Sequence, residues 1–409
     1  METVETNLAR STRPELTVEK LVYGGAGLGR LEGRAVLVPF VLPGEVVTIE
    51  VKRERSGMAE ARATAMLLRS PERVEPQCPY FARCGGCSYQ HAGYEFQLAQ
   101  KTAIAREVLR RVGKLEPLGE IAIVSGPPWE YRNRAQFHLD GGRIGFLETG
   151  SRRLCPVDRC PISSPRINDA LAALRRMIRD RRFPRFLRSV ELFTNEREVQ
   201  LNVLDTDRPL ARGFFQWCAE QMPGAGESSL EYTVGGEIYR VGHRSFFQVN
   251  RFLIDRLAEC ALDGVEGMSA LDLYAGVGLF SLPLARRCRS VLAVESNASA
   301  LRDLEFNAER AGLTVAARKA TVEQFLETVE APPDFVLADP PRAGLGKGVV
   351  NELLRLRVPV LTIVSCDPAT LARDLAPLLA GGYRIDALTL IDLFPQTWHI
   401  ETVTRLRLG

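Results

Sequence analysis

The sequence predicts an α/β protein in three parts: a small β-barrel, a mixed α+β central region and a doubly wound, Rossmann-like sheet towards the C-terminus. Three observations carry this. From Val241 onward, apolar runs of strand length alternate with helical segments, the pattern of a parallel sheet covered on both faces. Between about Thr12 and Arg69, short alternating β-branched runs are punctuated by glycine and proline turns, as in a barrel. The 409 residues exceed what one core of ordinary size holds. The divisions fall at residues 10–70, 71–240 and 241–409.

With 45% hydrophobic and 25% charged residues, the composition is that of a globular chain in water. No apolar run is long enough for a bilayer, and residues 1–11 carry acids and no apolar core. Neither a membrane helix nor a leader peptide is expected, which places the chain in the cytoplasm. The net charge of +3 is unevenly spread: eleven arginines against three aspartates lie between Arg152 and Arg188. That excess suits a phosphate backbone, or else a solvated helix face.

In the first part, Glu15 to Glu19, Ala35 to Phe40 and Val46 to Lys52 read as strands, with Tyr23-Gly24-Gly25-Ala26-Gly27-Leu28-Gly29-Arg30 as a loop. A strand and not a helix follows that loop, so it is no dinucleotide fingerprint. The stretch resembles the TRAM domain, which implies an RNA-binding barrel of the oligonucleotide-binding type.

Cys78, Cys84 and Cys87 crowd the next stretch, with Gly85 and Gly86 before the third thiol. In a reducing compartment such a cluster is a metal site sooner than a disulfide knot. A closed site needs a fourth ligand, for which Cys155, Cys160 and His91 are candidates; zinc and an iron–sulfur cluster both remain open. Tyr94 to Val112 has helical spacing, Tyr131 to Phe137 opens a β-rich segment, and a helix is expected from Gln248 to Leu262.

In the third part, Ala270-Leu271-Asp272-Leu273 runs into Tyr274-Ala275-Gly276-Val277-Gly278, and the next strand ends at Glu295. The glycines let a ligand approach the backbone, and Glu295 is placed for ribose hydroxyls. The third glycine of a dinucleotide motif is missing, as is a phosphate-binding lysine. A cofactor without a pyrophosphate is therefore favoured, and S-adenosylmethionine fits. Asp339-Pro340-Pro341-Arg342 closes a further strand, Cys366 follows the apolar run Val358 to Val364, and His399-Ile400-Glu401 is read as closing the last strand. A thiol and two carboxylates at strand ends form a constellation that packing does not require.

These motifs, with Phe247-Gln248-Val249-Asn250, Ser365-Cys366-Asp367-Pro368 and Asp392 to Glu401, resemble the RNA uracil-5 methyltransferases, most closely the RlmD-type branch that acts on 23S ribosomal RNA. The resemblance implies a class I methyltransferase domain in which Cys366 is the nucleophile towards uracil C6 and Glu401 the base that removes the C5 proton. It implies that Gln248, Tyr274, Gly276, Glu295, Thr321 and Asp339 line the cofactor and its junction with the base. It also implies a [4Fe–4S] cluster on Cys78, Cys84, Cys87 and Cys160, the last chosen because Cys160-Pro161-Ile162 would open a helix as in the family; Cys155 is the fallback ligand and zinc the alternative metal. The expected partner is RNA held single-stranded with its target base flipped out, and the expected state is a monomer. Transfer RNA is the alternative substrate. A non-catalytic RNA-binding assembly factor and an iron–sulfur redox or radical enzyme are the readings from other classes.

Overall fold

The structure is a computed structural model that describes residues 14–55, 57–116, 119–226, 229–243 and 245–409. The leader-free reading of residues 1–11 and the first division's start at residue 10 lie outside these residues. Strands β1 (Glu15–Leu21), β2 (Ala26–Leu31), β3 (Arg34–Pro39), β4 (Val46–Arg55) and β5 (Met58–Leu68) close into a barrel in the order β1-β2-β3-β5-β4. Alternate residues, among them Leu16, Val18, Val36, Val38, Val47 and Ile49, fill it. The glycine-rich stretch expected to be a loop is half strand, since Gly27 and Gly29 lie within β2. A methyl group on Gly27 would come within 2.5 Å of Val41 Cγ2 and 2.8 Å of Val18 Cγ1. Glycine is needed there for packing, not for turning.

Helix α1 (Tyr94–Gly113) forms where its spacing predicts. After it, β6 (Ala122–Val124) joins the far edge of the large C-terminal sheet. A five-stranded sheet is then built from β7 (Arg134–Asp140), β8 (Arg143–Leu147), β9 (Leu154–Pro156), β10 (Leu187–Thr194) and β11 (Val199–Thr206), in the order β11-β10-β7-β8-β9. Helices α2 (Pro165–Met177) and α3 (Arg212–Gln221) pack on it. The expectation that Cys160-Pro161-Ile162 opens a helix is corrected. These residues form a turn, and α2 starts at Pro165 behind Ser164, whose Oγ accepts from Ile167 N at 3.3 Å. Asn168 folds the turn back on the helix, accepting from Cys160 N at 2.8 Å and donating to Cys160 O at 3.0 Å.

The hairpin β12 (Ser229–Val234) and β13 (Glu237–Gly242) and helix α4 (Ile254–Ala261) lead into the large sheet. The helix expected from Gln248 starts only at Ile254. Asn250 is committed elsewhere, bridging to Arg132 and donating from Nδ2 to Leu393 O at 3.1 Å. The remaining elements are β14 (Ser269–Leu273), α5 (Ser281–Arg287), β15 (Ser290–Glu295), α6 (Ala298–Arg310), β16 (Ala316–Lys319), α7 (Val322–Leu326), β17 (Phe335–Ala338), α8 (Gly346–Leu356), β18 (Val360–Ser365), α9 (Pro368–Ala380), β19 (Tyr383–Ile391) and β20 (Glu401–Leu408).

Sheet order is β16-β15-β14-β17-β18-β20-β19-β6, with β14 to β18 parallel and β20 antiparallel to both its neighbours. Alternation sends Leu271, Leu273, Val336 and Ala338 to the face covered by α1, α8 and α9, and Ala270, Phe335 and Leu337 to the face covered by α4, α5 and α6. Burial on both faces explains why these strands read as near-continuous apolar runs. Among the described residues no helix is long and apolar enough to cross a membrane.

Candidate active site

All six residues of β18 are buried, and the chain leaves the sheet at Cys366. Asp367 then caps α9, its Oδ1 accepting from Ala369 N at 2.8 Å and Thr370 N at 2.9 Å, with Pro368 at the first helical position. Apolar strand, capping aspartate and proline together fix the half-buried thiol at the carboxyl edge of the sheet.

Glu401 does not close a strand, as the sequence reading had it; it opens β20. Because β20 runs antiparallel to β18, its first residues lie beside the end of β18, with Ser365 opposite Thr402. The next step of that register sets Glu401 beside Cys366. Thr402 Oγ1 seals the junction by donating to Ser365 O at 3.2 Å.

Asp339 follows β17, the neighbour of β18, and accepts from Gln248 Nε2 at 3.3 Å across 91 residues of sequence. The four side chains Gln248, Asp339, Cys366 and Glu401 thus belong to one edge. Burial, followed by the charge of Glu401, pushes the Cys366 thiol up to about 12, while Arg342 pulls it down. Burial and then Asp339 hold Glu401 well above the usual carboxylate range, again opposed by Arg342. Burial pushes Asp339 up to about 7, against the Gln248 hydrogen bond.

Further along the edge, Gly276 N donates to Glu295 Oε2 at 2.9 Å and Asn297 N to Glu295 Oε1 at 2.6 Å, so the glycine turn and the acid that ends β15 are tied together. Tyr274, between β14 and that turn, is half-buried at φ 62°, a left-handed conformation that an aromatic residue holds only where its surroundings impose it. Thr321 is exposed beyond β16, its Oγ1 accepting from Gln324 N at 3.3 Å to cap α7; it reaches none of the other candidates by hydrogen bond among the described residues.

The sequence reading missed Asp272 and Arg342 as site residues. Asp272 is fully buried and pushed up to about 7, first by burial and then by Asp339 and Glu295 against the Ser281 hydrogen bond. Its Oδ2 accepts from Ser281 Oγ at 2.5 Å while Oδ1 has no hydrogen-bond partner among the described residues. One charge inside an apolar strand was the available signal. Arg342 sat in a quoted motif, but its reach to both Cys366 and Glu401 is visible only in three dimensions.

Cys78, Cys84, Cys87 and Cys160 line one cavity of about 150 Å³, together with Tyr80, Phe81 and Arg132. Cys155 is buried in the core beneath the five-stranded sheet and does not line it. Burial raises the Cys78, Cys84 and Cys87 thiols, Cys84 to about 12; the Cys160 sulfur adds to the rise in each, and Cys155 adds to it for Cys78 and Cys84. No group of three or more His, Cys, Asp or Glu residues among those described is arranged around a single metal ion. In the arginine-rich stretch, Arg153, Arg159, Arg175, Arg182 and Arg188 pair with Glu148, Glu130, Asp158, Asp180 and Asp207. Arg152, Arg176, Arg179, Arg181 and Arg185 are exposed.

A glycine turn after β14, an acid ending β15 and a seven-stranded run with one antiparallel strand define an S-adenosylmethionine-dependent methyltransferase. Comparison with known proteins narrows this. The TRAM domain family matches residues 12–64, the tRNA (Uracil-5-)-methyltransferase family residues 326–407, and the family described as Conserved hypothetical protein 95 residues 250–357. An RNA methyltransferase of Aquifex aeolicus is 35% identical, covering 96% of this chain and 98% of that protein. The 23S rRNA (uracil(1939)-C(5))-methyltransferase RlmD of Cronobacter sakazakii is 34% identical over 95% of this chain and 94% of its own length. The crystal structure of the Pyrococcus abyssi tRNA (uracil-54, C5)-methyltransferase with S-adenosyl-L-homocysteine matches with a TM-score of 0.74 at 27% identity, covering 96% of this chain and all of that one. The chain belongs to the RNA (uracil-5-)-methyltransferase family.

Proposed function

We propose that the chain methylates C5 of a uridine in 23S ribosomal RNA through a covalent bond from Cys366 to uracil C6. The observation that carries this is the pairing of a half-buried thiol with a buried carboxyl group across the β18–β20 register. Uracil C5 is a poor nucleophile. The Cys366 thiolate adds to C6, forming the C–S bond and moving the C5=C6 electron pair into an enolate. Bound S-adenosylmethionine would supply the electrophilic methyl group, its S–CH3 bond breaking as the C5–CH3 bond forms and S-adenosylhomocysteine leaving. Glu401 then removes the C5 proton, and the freed electron pair restores C5=C6 and expels the thiolate.

For the methyl donor, Glu295 and the Gly276 turn would hold the ribose and methionine ends, with Tyr274 and Thr321 alongside and Gln248 and Asp339 between donor and base. The unpartnered Oδ1 of Asp272 is a further acceptor in the same region. Residues 10–70 serve as the TRAM-like RNA-binding barrel, 71–240 as the cluster-bearing, basic RNA surface, apart from α1 and β6, which pack with the large sheet, and 241–409 as the methyltransferase domain. The enzyme works in the cytoplasm as a monomer.

Cys78, Cys84, Cys87 and Cys160 would hold a [4Fe–4S] cluster. Four thiols around a cavity of about 150 Å³ suit a polynuclear cluster with cysteine throughout better than one zinc ion.

The test is tritium release from RNA labelled at uracil C5, run on ribosomal and transfer RNA separately with wild type and Glu401→Gln. Release from ribosomal RNA by the wild type alone is the expected result. Release only from transfer RNA keeps the chemistry and overturns the substrate; release from neither overturns the reaction and favours an RNA-binding assembly factor.

A further inference from the structure

Tyr23 lies in the barrel, in the turn between β1 and β2, yet its hydroxyl donates to Asp367 Oδ2 at 2.9 Å across 344 residues of sequence. Asp367 directly follows Cys366. Its other oxygen is already committed to the two amides at the start of α9, so the tyrosine completes the carboxylate's set of donors and fixes it in one orientation. On the far side of Cys366, Ser365 Oγ accepts from Asp367 N at 3.4 Å and donates to Asp367 O at 3.2 Å. The peptide carrying the thiol is therefore held from both flanks.

The same barrel turn touches the second loop of the site. The Tyr23 ring meets the Trp398 ring edge-on, centroids 5.1 Å apart at 87°. Gly25, at φ +89°, lies so close that a methyl group there would come within 3.1 Å of Trp398 Cδ1 and 3.2 Å of Ser88 Cβ. Trp398 meets His399 in turn in a tilted ring contact, with centroids 4.1 Å apart at 34°, and its amide donates to Ser88 Oγ at 3.0 Å. Three residues past Trp398 the chain reaches Glu401. A barrel that only gripped RNA would have no need to touch either loop.

We propose that Tyr23 is a positioning residue for the reaction: by bonding Asp367 and bracing Trp398 it holds the thiol loop and the loop before Glu401 in register, which makes the barrel a structural part of the catalytic centre. The inference rests on the uracil-methylating reading above. It assigns the barrel a contribution to turnover that is separate from RNA affinity.

Tyr23→Phe removes the hydroxyl and keeps the ring, so the fold and the Trp398 contact remain. With a ribosomal RNA fragment as substrate, kcat should fall about tenfold or more, the effect of one hydrogen bond to a charged group. KM, the RNA Kd from filter binding and the thermal midpoint should stay at wild-type values. With the same fragment carrying 5-fluorouridine, whose C5 fluorine cannot leave as a proton does, the covalent enzyme–RNA band on a denaturing gel should form more slowly by the same factor. An unchanged kcat overturns the proposal, as does weaker RNA binding with kcat preserved or a loss of activity that tracks a lowered thermal midpoint. If wild type gives neither methylated RNA nor the trapped band, the reading of the function has failed, and the positioning role fails with it.

Discussion

The Lys101 ammonium and the Asp392 carboxylate form an ion pair at 2.6 Å in which neither side chain reaches solvent, at 0% and 1% exposure. Lys101 also donates to Phe394 O at 2.9 Å, and one helical turn earlier Gln97 donates to Gln396 Oε1 and accepts from Gln396 N, both at 3.0 Å. Helix α1 thereby fastens the loop that delivers Glu401.

Removing one partner strands the other as a buried charge. Lys101→Met should lose about 3–5 kcal/mol in urea denaturation. The double variant with Asp392→Leu should recover part of that loss, since an apolar pair of similar volume needs no compensating charge. Equal stability of Lys101→Met and wild type would show that the carboxylate finds another partner.

The pH dependence of turnover follows from two groups shifted in the same sense. Cys366 is pushed up to about 12, so its thiol is protonated in the free enzyme at neutral pH, and burial shifts Glu401 upward in the same sense. In the proposed reaction both act in the deprotonated form. Because kcat/KM reports the free enzyme, it should climb with pH from neutral through pH 9, by roughly tenfold per unit while one proton controls it. A profile already flat below pH 7 would mean that neither group limits the reaction. Cys366→Ala should abolish turnover at every pH while S-adenosylmethionine binding, followed by calorimetry, is retained.

Arg342 is the cation that lowers both groups. Arg342→Gln should therefore move the kcat/KM profile to higher pH, seen as a loss at neutral pH that alkali recovers. Arg342→Lys, which keeps the charge, should shift it less. A loss of equal size at all pH values would instead make Arg342 an RNA contact.

Much of this was legible in the sequence because the relevant signals are local. The apolar run into Ser365-Cys366-Asp367-Pro368 contains strand, candidate nucleophile, cap and helix start within a few residues, and the glycine turn with Glu295 follows from strand–helix alternation alone. What sequence reading got wrong depended on partners far along the chain. Glu401 was assigned to a strand end, although it stands at a strand start, because direction within the sheet is set by pairing with β18 and not by composition. Gly27 and Gly29 looked like turn residues because the same residue type serves tight packing inside a barrel. The helix expected from Gln248 was shortened by Asn250, whose partner Leu393 lies 143 residues away. Tyr23 carried no signal at all, its partner being 344 residues distant.

The choice between Cys160 and Cys155 as fourth ligand of the proposed cluster turns on which of them lines the cavity. Cys160 lines the cavity with Cys78, Cys84 and Cys87, and its backbone is pinned by Asn168 on both sides. Cys155 is wholly buried in the core that also holds Phe137 and Leu171, where a thiol behaves as a small hydrophobe, although it is near enough to Cys78 and Cys84 to raise both thiols. Cys160→Ala should therefore lower bound iron and acid-labile sulfide in anaerobically purified protein and bleach its visible absorbance. Cys155→Ala should leave both at wild-type levels and cost only stability, about 1 kcal/mol for the void left by one sulfur atom. The opposite pattern would make Cys155 the ligand in place of Cys160. Full zinc occupancy with no iron in both variants and wild type would overturn the cluster and keep the thiol site.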